Sequence, residues 1–174
     1  PAHLHLLGGG PREAELRAQV RTLGLQDQVT FHGRVGDAEM QAVLAQCKVS
    51  VSVPLSDATS VAMLESMACG LTVLASDLPA NREWLGDNEG LWVPVAGSDD
   101  AAAATLAGAL LALWQDDARA QRLGERNLAR IRHDGRRETQ MDAMAAWYRR
   151  LLLQAGREGR KGRDRGRTAG RGGR

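Results

Sequence analysis

Val49 to Ser76 reads VSVSVPLSDATSVAMLESMACGLTVLAS. Val49, Val51 and Val53 alternate with Ser50 and Ser52 up to Pro54, a period-two pattern of β-branched residues that predicts a strand and its end. The stretch Leu55–Ser60 is short and polar, and the hydroxyls of Thr59 and Ser60 suit the cap of a helix beginning near Ser60 or Val61. Val61, Leu64 and Ala68 fall on one face of that helix with Met63 and Met67 beside it. Gly70 supplies the stop and Thr72 opens a second apolar strand. The result is a β-loop-α-β unit. In parallel units of this kind ligands sit where loops leave the carboxyl ends of strands, and the free amides of a helix start hold phosphate.

Two acids bracket this loop and helix, Asp57 and Glu65, with seven residues between them. Glu65 lies about one turn into the helix, where its carboxylate can accept from the vicinal hydroxyls of a ribose. Asp57 faces the same volume from the loop. Each acid also has a plainer explanation: the helix dipole favours an acid near a helix start, and Asp is a common turn former.

The segment SDATSVAMLESMACGLTVLASDLPANREWL resembles the nucleotide-sugar site of the glycosyltransferase group 1 family, retaining enzymes of the GT-B fold. The shared order is an acid, seven residues, Glu, the small-residue stretch Ser66, Met67, Ala68, Cys69, Gly70, an apolar strand and a Ser-Asp turn. The resemblance implies that Glu65 holds the donor ribose, that Asp57 is the catalytic acid contacting the transferred sugar, and that the amides of Thr59, Ser60 and Val61 bind the diphosphate. It further places Val35 and Asp37 against the nucleotide base. The sequence departs from the family pattern twice. The first acid is usually Glu, one methylene longer than Asp57, and the usual Gly-aromatic-Gly after it is Ala58, Thr59, Ser60, a version some members share.

The remaining chain fits alternating strands and helices. His3–Leu7 is a short strand running into Gly8, Gly9, Gly10 and Pro11, and Glu13 to Leu23 has helical spacing through Leu16, Val20 and Leu23, stopped by Gly24. A dinucleotide fingerprint would need a third glycine where Glu13 stands. Val29–Gly33 is a second strand, after which Arg34 to Asp37 turn into a helix that Asp37 can cap. After a turn at residues 86–90, Leu91–Val95 is a further strand. Ser98 and Asp99 cap a helix from Asp100 to Trp114, another runs from Asp117 to about Arg132, and Asp142–Leu153 is amphipathic through Met144, Trp147, Tyr148, Leu151 and Leu152, with core packing as the expected role of the aromatic pair. The fold class expected is α/β, a three-layer α/β/α Rossmann-like parallel sheet. With the resemblance it becomes an incomplete carboxy-terminal half of a GT-B fold: residues 1–154 as the donor-binding domain lacking its first strand, residues 155–174 as a disordered basic Gly/Arg-rich tail, and the amino-terminal acceptor domain absent.

Composition suits one soluble globular domain: 174 residues, 43% hydrophobic and 3% aromatic, enough for a core of Val, Leu and Ala. No run approaches the roughly 20 apolar residues of a membrane helix, and no signal pattern opens the chain, which gives a cytoplasmic expectation, at most peripheral to the inner face of the membrane. Cys47 and Cys69 lack metal spacing and read as reduced, buried small residues. His3 and His5 share a strand face without a third ligand, so no metal is assigned. After Gly156 there are eight Lys or Arg against two acids, and before it fifteen against nineteen, so the tail alone makes the chain basic. Its Arg-Gly composition suits weak contact with nucleic acid or an anionic membrane.

Three functions from different classes follow. The first is a partial glycosyltransferase that binds a nucleoside diphosphate sugar as donor substrate, with no cofactor, and transfers little alone. The second is a GT-B-like nucleotide-sugar epimerase fragment, for which His32 is the local candidate. The third is a non-catalytic binding module whose useful part is the tail.

Overall fold

The structure is a computed structural model and describes residues 2–87 and 91–169, with side chains described as far as residue 154. The chain divides into two compact units, Pro1–Ala129 and Arg130–Arg174.

Among the described residues the first unit contains five strands and most of the helices. β1 (Leu4–Leu7) leads through α1 (Glu13–Thr22) to β2 (Val29–Gly33), then α2 (Asp37–Leu44) to β3 (Val49–Ser52). From there α3 (Val61–Ala68), β4 (Thr72–Ser76), α4 (Pro79–Leu85), β5 (Trp92–Val93), α5 (Asp99–Gln115) and α6 (Asp117–Asp134) follow, the last reaching into the second unit. Among the described residues the named strands all pair parallel, Leu4 opposite Val29, Val49 opposite Thr72 and Ala75 opposite Trp92, and one isolated antiparallel bridge joins Gly8 and Gly33. The expected parallel α/β architecture is present, but the strands pair as two sets, β1–β2 and β3–β4–β5.

β4 is the centre of the second set and all five of its residues are buried. Leu74 packs into a cluster with Leu91, Leu113, Ala120 and Leu123, contributed by β4, the approach to β5, α5 and α6. By strand alternation Val73 and Ala75 take the opposite face, the side of α3, where Met63 and Met67 are fully buried. Each such side chain removed from water contributes about 1.5–3 kcal/mol. The buried face of α3 is therefore Met63, Ser66 and Met67, whereas Val61 is 66% exposed. The expected face of Val61, Leu64 and Ala68 is rotated from the observed one because Ser60 and Ser66 bond to strand serines and pull their own side of the helix inward.

α6 approaches the α3–β4 turn without a side chain between the backbones. A Cβ at Gly124 would stand 2.1 Å from the Gly70 carbonyl oxygen. On the same helix Asn127 Nδ2 donates to the Leu71 carbonyl at 2.9 Å, and the Ala120 carbonyl accepts from Thr72 Oγ1 at 2.5 Å. Gly70 itself has φ of +75°, a left-handed stop that turns α3 into β4.

Several boundaries differ from expectation. α2 is capped by Gly36, with Asp37 inside its first turn, where an acid still meets the dipole favourably. Ser98 alone caps α5, accepting from the Ala101 amide, and Asp99 begins the helix. Only Trp92 and Val93 of the expected Leu91–Val95 strand pair, and part of the preceding turn, residues 88–90, lies outside the described residues. Cys69 is exposed and Cys47 half-buried, not buried as expected, and burial pushes the Cys47 thiol up.

The second unit is built on α7 (Arg137–Ala169). The compact first unit stops at Ala129. Trp147 and Tyr148 meet edge to face at 5.4 Å but are 51% and 55% exposed, so their expected core role is not observed. α7 continues through residues 155–169. Residues 170–174 lie outside the described residues. Among the described residues no helix is long and apolar enough to cross a membrane.

Replacing Gly124 by Ala must displace α6 from the turn, because the obstructing atom is backbone and cannot rotate away. The expected cost is about 2–4 kcal/mol, read as a lowered urea midpoint at constant slope. An equally stable Gly124→Ala variant would refute the close approach.

Candidate functional site

The site begins with the serine face of β3. Ser66 Oγ donates to Ser50 Oγ at 2.7 Å and also reaches the Ala62 carbonyl at 2.8 Å, while Ser52 and Ser60 hydroxyls are 3.0 Å apart. The alternation of Val with Ser thus has a structural purpose: the serines tie β3 to α3 by hydroxyl pairs. Ser60 is 5% exposed and its Oγ also accepts from the Met63 amide at 3.3 Å, which makes it the cap of α3.

That cap satisfies one of the amides at the helix start and leaves those of Val61 and Ala62 without an intrahelical partner. They open at the carboxyl end of β3, with the positive end of the helix dipole behind them. Glu65 follows on the same helix, half-buried. Among the described residues its carboxylate has no hydrogen-bond or ion-pair partner, so both oxygens remain acceptors. Nucleotide ribose and diphosphate need this combination: donors for the anion and an acceptor for vicinal hydroxyls.

Asp57 has a different standing. Its Oδ1 accepts from the Thr59 amide at 3.1 Å, closing an Asx turn in an exposed loop. The turn uses the Thr59 amide internally, so of the three expected phosphate donors Thr59 is engaged in this structure. Its hydroxyl is also committed, donating to the Ala58 carbonyl at 2.6 Å. Val35 is half-buried and Asp37 exposed at the entry of α2, and among the described residues no hydrogen bond, ion pair or ring contact joins them to the α3 loop. The structure brings Asp57, Thr59, Ser60, Val61 and Glu65 together on one loop and helix and leaves Val35 and Asp37 on the β2 side.

Two further residues hold the loop, Ser76 of the Ser-Asp turn and Asn81, and the sequence reading gave neither a role in positioning it. Ser76 Oγ donates to the Pro54 carbonyl at 2.6 Å, which fixes the start of the loop to the end of β4. Asn81 is fully buried and its Nδ2 donates to the Ser76 carbonyl at 2.9 Å, while its Oδ1 is a buried acceptor with no partner among the described residues. The Ser-Asp turn continues with Asp77, which takes a two-pronged pair from Arg82 at 2.6 and 2.8 Å, and Arg82 lies 4.8 Å over the Trp92 ring. His32, the candidate for an epimerase, is 3.0 Å from His5 Nδ1 through its Nε2, on the β1–β2 pair.

With fold and loop together, the molecule is a parallel α/β unit in which, among the described residues, an unpartnered carboxylate lies about one turn into a helix capped by Ser60. It belongs to the glycosyl transferases group 1 family, whose sequence profile matches residues 1–128. Phosphatidyl-myo-inositol mannosyltransferase of Mycobacterium leprae is 36% identical over 114 residues, covering 64% of this chain and 29% of that protein. D-rhamnosyltransferase WbpZ of Pseudomonas aeruginosa is 30% identical over 129 residues, covering 73% of this chain and 33% of that protein. The chain thus spans about a third of the length of these curated relatives. Among solved structures, sucrose-phosphate synthase of Thermosynechococcus elongatus superposes on 87% of this chain and 39% of its own at a TM-score of 0.70, with 26% identity. A TarM variant of S. aureus does so at 0.64 over 83% of this chain, and at 19% identity that likeness speaks to fold alone. The fold is accordingly a Rossmann-like half of the GT-B type.

The Arg82 guanidinium holds the Asp77 carboxyl below its usual value, chiefly by hydrogen bonding, with burial opposing and the Arg82 charge adding. Because the folded value lies below the unfolded one, the pair's stabilisation is complete above about pH 4 and is lost as pH falls through the depressed value. Asp77→Asn should make the melting temperature less sensitive to acid below about pH 4 than in the parent. Identical acid limbs in the two proteins would remove Asp77 from the account.

Proposed function

We propose that this chain is the donor-binding part of a retaining glycosyltransferase that uses a nucleoside diphosphate sugar. The observation that carries the reading is Glu65: a half-buried carboxylate, unpartnered among the described residues, one turn into a helix whose first amides have no intrahelical partner, inside the family's matched region. Glu65 accepts from the ribose hydroxyls. The amides of Val61 and Ala62, with Ser60 holding the helix start in place, receive the diphosphate. Asp57 stands at the loop tip toward the transferred sugar, and when donor arrives its Asx turn exchanges the Thr59 amide for contact with ligand. Val35 and Asp37 border the base from the neighbouring strand pair. The donor is a substrate, and the scheme uses no cofactor.

The second half of the active site comes from the acceptor side, which belongs to the rest of a longer polypeptide. The relatives named mannosyltransferase and rhamnosyltransferase make a hexose or deoxyhexose the expected transferred group. Alone, residues 1–174 bind donor and transfer poorly, because proximity of the acceptor is missing from the reaction.

Titration calorimetry with UDP, GDP and ADP tests the reading. One of the three should bind the chain, and Glu65→Ala should weaken it by about 1.5–3 kcal/mol, roughly 10- to 150-fold, the worth of hydrogen bonds to a charged group. Asp57→Ala should leave nucleoside diphosphate affinity within about threefold, since its partner is the sugar, and reduce transfer once the acceptor side is restored. Unchanged affinity in Glu65→Ala would sink the assignment.

A further inference from the structure

Three imidazoles stand in a row on the β1–β2 pair. His5 lies between His3, at 4.8 Å between ring centroids, and His32, at 5.3 Å. His3 Nε2 is 2.8 Å from Thr30 Oγ1, and His5 Nδ1 is 3.0 Å from His32 Nε2. Among the described residues no carboxylate is hydrogen-bonded or ion-paired to any of the three, and no three His, Cys, Asp or Glu side chains converge as metal ligands would. The charged group that α1 brings to this pair is Arg17, whose guanidinium lies 4.3 Å over the Phe31 ring and pairs with Glu13. The imidazoles therefore act chiefly on one another.

His32 sits where the ladder breaks step. Leu6 is opposite Phe31 and Leu7 opposite Gly33, so His32 is the extra residue of a bulge. Past it Gly33 turns with φ of +66°, its carbonyl accepts from the Gly8 amide at 2.7 Å, and the chain runs through Val35 into α2 at Asp37. A bulge re-aims the chain that follows it, and the His5–His32 contact is the side-chain bond that ties this one to β1.

Two facing ring nitrogens bond only while one of them lacks a hydrogen. The neutral pair meets this condition, and so does a pair sharing one extra proton. A second proton makes both nitrogens donors 3.0 Å apart and turns attraction into repulsion. His3 adds a third ring whose charge opposes the same step. In keeping with this, burial first, then the charges of His3 and His32, lower the His5 pKa. The facing pair titrates as a unit.

We propose that His3, His5 and His32 are a pH-sensitive latch: with at most one shared proton they hold the β2 bulge on β1, and a second proton releases it together with the turn from Gly33 to Asp37. Because His5 titrates lower folded than unfolded, the stabilisation is complete above about pH 6.5 and is lost as pH falls through the lowered value. That window is separate from the acid limb of Asp77, below about pH 4. Regulation of donor binding by the released turn rests on the role proposed above for Val35 and Asp37. The release itself does not, and it is tested without nucleotide, so its failure and that of the donor assignment are distinguishable.

NMR on the 174-residue chain, following imidazole signals from about pH 8 to about pH 5 with amide hydrogen exchange along the series, decides it. The His5 ring should titrate below its ordinary 6.5. Across that titration the protection factor of the Gly8 amide should fall at least about tenfold, while that of the Asp77 amide, bonded to the Val93 carbonyl in the other strand set, holds. In His32→Gln, which keeps a donor and an acceptor without a titrating ring, Gly8 protection should no longer change with pH, whatever its level. The same is expected of His5→Asn, which serves if the first variant does not fold. Constant Gly8 protection while His5 titrates, or a pH dependence that persists in either folded variant, overturns the latch.

Discussion

The packing of α6 against the turn between α3 and β4 is the constraint on which the site depends. Gly124 lets the helix backbone reach the Gly70 carbonyl, Asn127 takes the Leu71 carbonyl, and Thr72 bonds to Ala120 across the same contact. Three consecutive residues, Gly70 to Thr72, are thereby held in place from one side. Since α3 ends and β4 begins there, the pitch of α3 over the sheet follows, and with it the position of Ser60 and Glu65 at the far end. A functional loop is most useful when a rigid frame aims it, and this frame is built of backbone contacts that leave little freedom.

On the opposite face the serines of β3 complete the hold. Hydroxyl pairs between Ser50 and Ser66 and between Ser52 and Ser60 act along the same helix, one near each end. Small side chains there bring helix and strand close, and the hydroxyls keep the contact satisfied. The acids sit differently on this frame. Glu65 is positioned by a helix clamped on two sides, whereas Asp57 belongs to an exposed loop held by its own Asx turn and by Ser76 on Pro54. In the proposed roles, Glu65 offers a ribose a fixed acceptor and Asp57 stays adjustable until a donor arrives.

Much of this was legible from residue type and spacing. The strand at Val49, the cap at Ser60 and the stop at Gly70 are local signals, each enforced by backbone sterics or by a hydroxyl next to a free amide, and they stand where the sequence puts them. What escaped is non-local. Asn127 acts on Leu71 from 56 residues away, Asn81 has no motif, and the rotation of α3 toward Met63 and Met67 depends on serines across a strand that periodicity counts as polar. The aromatic pair on α7 read as core because amphipathic spacing shows that a face is apolar and says nothing of what covers it. The separation into two strand pairs was likewise beyond periodicity, since pairing partners are a property of the whole sheet.

The most direct test of the central claim, that the start of α3 is a nucleoside diphosphate seat, is a backbone amide chemical-shift titration of the chain with UDP, GDP and ADP. The account predicts that for the nucleotide that binds, the largest saturable changes fall on Val61 and Ala62, with smaller ones at Thr59 and Glu65. Saturable shifts confined to α7, or spread without any at Val61 and Ala62, would contradict it.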